Sequence, residues 1–187
     1  LSLADLMLDM KIAISAMSIQ ATTGKDVRAA DPIVLERVKL NDKLANVTAR
    51  TMAALEYVAE LSSTYGLSAS SSAWFHSCFN GIDEQIGILY MPSTSNAELK
   101  KGIKRLESLL EQYDMLIPTI ESDQKKFVAL YQVYADAAKA LGEPIANIKS
   151  FKSLKVLEET LLLLKKRAEK AQEFAEIYQK LGPAAYI

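Results

Sequence analysis

Between Leu154 and Leu181 the apolar residues recur at steps of three and four: Leu154, Leu157, Leu161, Leu164, Ala168, Ala171, Ala175 and Tyr178, with Phe174 beside the row. An α-helix closes a turn in 3.6 residues, so this spacing keeps one face apolar along the whole segment. Glu158, Glu159, Lys165, Lys166, Arg167, Glu169, Lys170, Glu173 and Glu176 fill the other faces. Such a helix cannot bury its seam by itself and must lie along other helices.

The same spacing recurs upstream. Leu3, Leu6, Met10, Ile14 and Met17 form a row opened by a Ser2–Asp5 capping box and closed by Gly24, and Leu8, Ile12 and Ile19 widen it. With them the helix is apolar on more than half its surface. Asp31 and Pro32 start a second helix, with an N-cap side chain and proline in the first turn. Its stripe runs through Leu40, Leu44, Val47, Thr51, Leu55, Val58 and Leu61, and it ends near Tyr65 and Gly66. Ser68–Ser72 reads as a small-residue linker before a third helix over Ala73–Tyr90, which carries Gly81 and Gly87 inside it.

Ser95 and Glu98 make another capping box. Beyond it one stripe runs through Leu99, Ile103, Leu106, Leu110, Tyr113 and Ile117, then Ile120, Gln124, Phe127, Tyr131, Tyr134, Ala138 and Leu141. Pro118 interrupts it. Proline removes a backbone donor and crowds the carbonyl of Asp114. The stripe keeps its phase across Pro118, and no Gly, Asn or polar cluster stands there to form a turn. One kinked helix over Ala97–Leu141 is therefore expected. Gly182 and Pro183 are the expected stop of the last helix. No segment has strand periodicity with hairpin chemistry. The prediction is an all-α, elongated antiparallel helical bundle of about five long helices with coiled-coil-like packing, one domain spanning 1–187.

The chemistry-bearing residues are few. One histidine, His76, and one cysteine, Cys78, fall short of a zinc site, and Ala73 stands where a Glu-x-x-His motif would need its glutamate. His76 and Cys78, two apart on a helix, diverge and would not share a proton. No phosphate loop or nucleophile elbow is present. The expectation is a non-enzyme with no cofactor and no metal. A net charge of −1 supplies no bulk attraction for nucleic acid. No apolar run reaches the roughly 18 residues of a membrane span.

What remains is contact with another protein, of unknown identity, in the manner of an adaptor, a secretion-associated or effector protein, a chaperone or an immunity protein. The alternative is a membrane-active, toxin-like bundle or its companion subunit, although membrane contact is not favoured. The candidate membrane or partner segment is the aromatic-rich one holding Trp74, Phe75, Phe79, Ile82 and Ile86. The polar residues His76, Asn80, Asp83, Glu84 and Gln85 within it oppose spontaneous insertion. The chain opens on Leu1 rather than Met, in keeping with a natural N-terminus that was processed or lies upstream. The compartment, cytoplasmic or exported, and the oligomeric state stay open.

Overall fold

The computed structural model describes residues 2–29, 31–65 and 69–181, with the backbone alone for 63–65 and 69–70. The described residues form an all-α bundle of six α-helices: α1 (Leu3–Thr23), α2 (Pro32–Tyr65), α3 (Ala69–Phe79), α4 (Ile82–Leu89), α5 (Asn96–Ala140) and α6 (Leu154–Leu181). A single 3₁₀ turn, Ile148–Ser150, precedes α6. The expected end of α2 at Gly66, the first linker residue Ser68, and the stop at Gly182 and Pro183 lie outside the described residues.

The helix starts follow the capping chemistry. The Asp5 amide donates to Ser2 Oγ at 3.2 Å and the Ser2 amide to Asp5 Oδ2 at 3.3 Å. The Ile33 amide donates to Asp31 Oδ1 at 3.1 Å, and the Glu98 amide to Ser95 Oγ at 3.2 Å. Each of these bonds satisfies a donor that the first helical turn leaves without an intrahelical acceptor.

Two expectations about the middle of the chain are corrected. Ala69–Ser72 is not a linker but the first turn of α3, since serines and alanine are acceptable in a helix when no glycine interrupts them. The third helix is not continuous. Gly81 takes φ +73°, a left-handed conformation that only glycine adopts without strain, and the chain breaks there into α3 and α4. Gly87, by contrast, lies inside α4. The helix is continuous across Pro118, as expected: α5 runs over 45 residues with the proline inside it.

The chain packs as two compact units, one of Leu1–Ala59 with Phe75–Ile117 and one of Glu60–Trp74 with Pro118–Ile187. In the first, α2, α4 and α5 enclose a core of Leu40, Leu44, Val47, Ala54, Ile82, Ile86, Leu89, Leu99, Ile103, Leu106 and Leu110. Ion pairs Glu36–Lys100 and Arg50–Asp114 advance by the same number of residues along α2 and α5, so these two helices run parallel in this unit. Between them the chain returns antiparallel. Leu89 approaches Gly102 while Phe79, earlier in sequence, meets Tyr113. Successive neighbours are thus antiparallel and the outer two parallel, as an up-down-up connection requires. In the second unit, Tyr134, Ala138, Leu157 and Leu164 form the core, with Phe127, Leu130, Tyr131, Leu141 and Phe151 packed on it.

Candidate docking surface

Helix α1 departs furthest from its expected packing. It is apolar on more than half its circumference, so its apolar pattern does not say which side turns inward. Its polar contacts do. Lys11 Nζ lies 3.0 Å from Asp42 Oδ1, and Asn41 Nδ2 donates to Ser15 Oγ at 3.4 Å. The residues this buries are Ser15, Ser18 and Ile19. Ser18 satisfies its hydroxyl by donating to the Ile14 carbonyl at 3.2 Å.

The row Leu3, Leu6, Met10, Ile14 and Met17 consequently faces solvent. Leu3 is 75 % exposed, Met10 63 % and Met17 68 %, and Leu6, Met7, Leu8 and Ile14 are exposed with them. On the helix surface Leu3, Leu6, Met10, Ile14 and Met17 share a face with Met7 beside them. Together they make an apolar patch of roughly 600 Å², at the upper limit of what a monomer ordinarily leaves in water. The capping box on Ser2 and Asp5 keeps the helix formed up to Leu3.

The C-terminal part of α6 is a second correction. Leu157, Leu161 and Leu164 are buried as expected, but every residue from Glu169 to Leu181 is exposed, including Ala171, Phe174, Ala175 and Tyr178.

The aromatic segment singled out from sequence is core. Phe75 and Phe79 stack at 4.7 Å and both stand nearly perpendicular to the Tyr113 ring, at centroid distances of 6.2 and 6.3 Å. Ile82 and Ile86 belong to the α2–α4–α5 core, and Trp74 is half-buried in the other unit. In this fold Phe75, Phe79, Ile82 and Ile86 offer no surface, and contact through them would require the segment to leave its core.

One buried group escaped the sequence reading. Arg37 is only 2 % exposed. Its Nη1 donates to the Thr94 carbonyl and, at 3.4 Å, to Asn96 Oδ1. Thr94 Oγ1 donates in turn to the Ile88 carbonyl at 2.6 Å, and Asn96 Nδ2 to the Ile33 carbonyl at 3.2 Å. These bonds fasten the start of α2 to the α4–α5 connection. Burial pushes the Arg37 pKa down, and its Nε has no partner. The signal was present in the sequence: Arg37 stands three residues before Leu40 and seven before Leu44, at a stripe position.

Among the described residues no three His, Cys, Asp or Glu side chains gather as a metal site would require. No described helix is long and apolar enough to cross a membrane. His76 is exposed and Cys78 half-buried on α3. No family model, curated protein or solved structure matches the chain.

Proposed function

We propose that this protein is a non-enzymatic helical bundle that works by binding another polypeptide on the outward face of α1. The observation that carries this is the exposed row Leu3, Leu6, Met10, Ile14 and Met17 on a helix that polar contacts hold in place. A row of this spacing on a formed helix presents anchors that a helical partner or an apolar groove can take. Methionine suits such a surface because its unbranched, polarizable side chain adapts to irregular partners.

A bilayer surface is a poorer match. Helices that lie on anionic membranes carry Lys and Arg around the apolar face. Helix α1 carries Asp5, Asp9 and one lysine, Lys11, which is paired with Asp42. The test is photo-crosslinking in the source cell from p-benzoylphenylalanine placed at Met10. Adducts to polypeptide are expected. Adducts confined to phospholipid would overturn the proposal in favour of membrane activity.

A further inference from the structure

We infer that the outward face of α1 docks a second copy of this chain, helix against helix and antiparallel, with the two-fold axis passing at Met10. The inference rests on α1 being a protein-docking face.

The spacing carries it. The steps along Leu3, Leu6, Met10, Ile14 and Met17 are three, four, four and three, a row that reads the same in both directions from Met10. An isologous contact demands that one patch complement itself under a two-fold rotation. Antiparallel pairing about Met10 sets Leu3 against Met17 and Leu6 against Ile14 of the second copy, and Met10 against its own equivalent. Every exposed anchor of the row then meets another, and none is left facing water.

Charge favours the antiparallel arrangement through Asp9, which flanks the row, whereas Asp5 lies on the far side of the helix in its capping box. Both acids of α1, Asp5 and Asp9, lie in its first half, and the half beyond Met10 holds only Lys11. Parallel pairing would bring the two acidic halves together. Antiparallel pairing lays each acidic half along the other copy's acid-free half and opposes the helix dipoles. The area suits a weak, reversible dimer: two patches of roughly 600 Å² can bury at most about 1,200 Å², the lower edge of specific interfaces. The contact face is distinct from the face that α1 already uses, because Ser15, Ser18 and Ile19 turn toward the bundle.

The test uses the whole chain in a Cys78→Ser background. Sedimentation equilibrium should show a monomer–dimer equilibrium in the micromolar range, and Ile14→Glu should weaken it by about 100-fold or more, since a carboxylate would be buried unpaired. Ile14 is exposed in the single copy, so the helical dichroism of that variant should be unchanged. Under mild oxidation, Met10→Cys should form a disulfide with itself, and an equimolar mixture of Leu3→Cys and Met17→Cys should give the mixed disulfide. Self-disulfides of Leu3→Cys and of Met17→Cys, without the mixed product, would mean parallel pairing and overturn the inference. A monomer at every concentration, with Met10 photo-adducts on a different polypeptide, would overturn self-pairing and leave the docking face standing. A monomer whose Met10 adducts are lipid alone would remove both.

Discussion

Gly102 and Gly87 stand on neighbouring helices, and the same substitution should act on them with opposite sign. A methyl group on Gly102 of α5 would lie 2.6 Å from Leu89 Cδ1 and 3.0 Å from its Cγ, with Cδ2 closer still. Leu89 has little room to withdraw, because it is packed in one core with Ile86, Ile103 and Leu106. Overfilling a packed core costs about 1–3 kcal/mol. Replacing a helical glycine by alanine returns about 1 kcal/mol. Gly102→Ala should therefore destabilise the first unit by up to about 2 kcal/mol net. Around Gly87 nothing lies within 4 Å of an added methyl, so Gly87→Ala should stabilise by about 0.5–1 kcal/mol. Both changes alter the unfolded chain alike, so their difference reports the folded contact. Native-state hydrogen exchange at the amides of Ile103, Leu106 and Leu110 reads this unit alone. Leu89→Ala should cost less in the Gly102→Ala background than in the parent, a coupling that only direct contact produces. Equal stabilisation by both alanines would refute the close crossing of α4 and α5.

Three other outcomes are expected. Leu161→Ala should cost about 2–5 kcal/mol in urea unfolding, as for a large-to-small change at a buried site; a change within error would mean the wrong face of α6 is assigned to the core. Pro118→Ala should raise stability by up to about 3 kcal/mol, because the Asp114 carbonyl regains an amide donor and the ring clash is lost; a lower urea midpoint would contradict an unbroken α5. Glu36, held below the ordinary carboxylate pKa first by the hydrogen bond from Lys100, adds stability that is present above its unfolded-state pKa and lost as pH falls through the depressed value. An NMR titration should show that depression relieved in Lys100→Met, and an unchanged Glu36 titration would place the pair apart.

The stripes of α2 and α5 were legible because each has one apolar face and charged residues elsewhere. Leu40, Leu44, Val47, Thr51 and Val58, and Leu99, Ile103, Leu106 and Leu110, are all buried as their spacing requires. Phase also settled Pro118, since the apolar row crosses it without a shift. Helix α1 was illegible for the opposite reason. With apolar residues most of the way round, its burial direction was set by Lys11–Asp42 and Asn41–Ser15, contacts with a helix that sequence spacing does not locate. The break at Gly81 and the close approach at Gly102 illustrate a further limit. Gly81, Gly87 and Gly102 have the same propensity, yet the first takes a left-handed turn between α3 and α4, the second faces open space inside α4 and the third admits a leucine inside α5. Backbone conformation and the packed partner distinguish them, and neither is written in the spacing. The outward face of α1, on which the proposed docking rests, was therefore visible only in the structure.

The direction that α1 faces is most directly measured by thiol alkylation of Met10→Cys and Ile19→Cys, each in a Cys78→Ser background. Ile19 is 1 % exposed, so its thiol should react only through local opening, roughly tenfold or more slowly than a free thiol. The Met10 thiol should react as fast as a free thiol in dilute protein and be protected progressively as concentration rises and a second copy covers it. A Met10 thiol as protected as Ile19 at every dilution would show that the apolar row is folded against its own bundle, and the docking face would not exist.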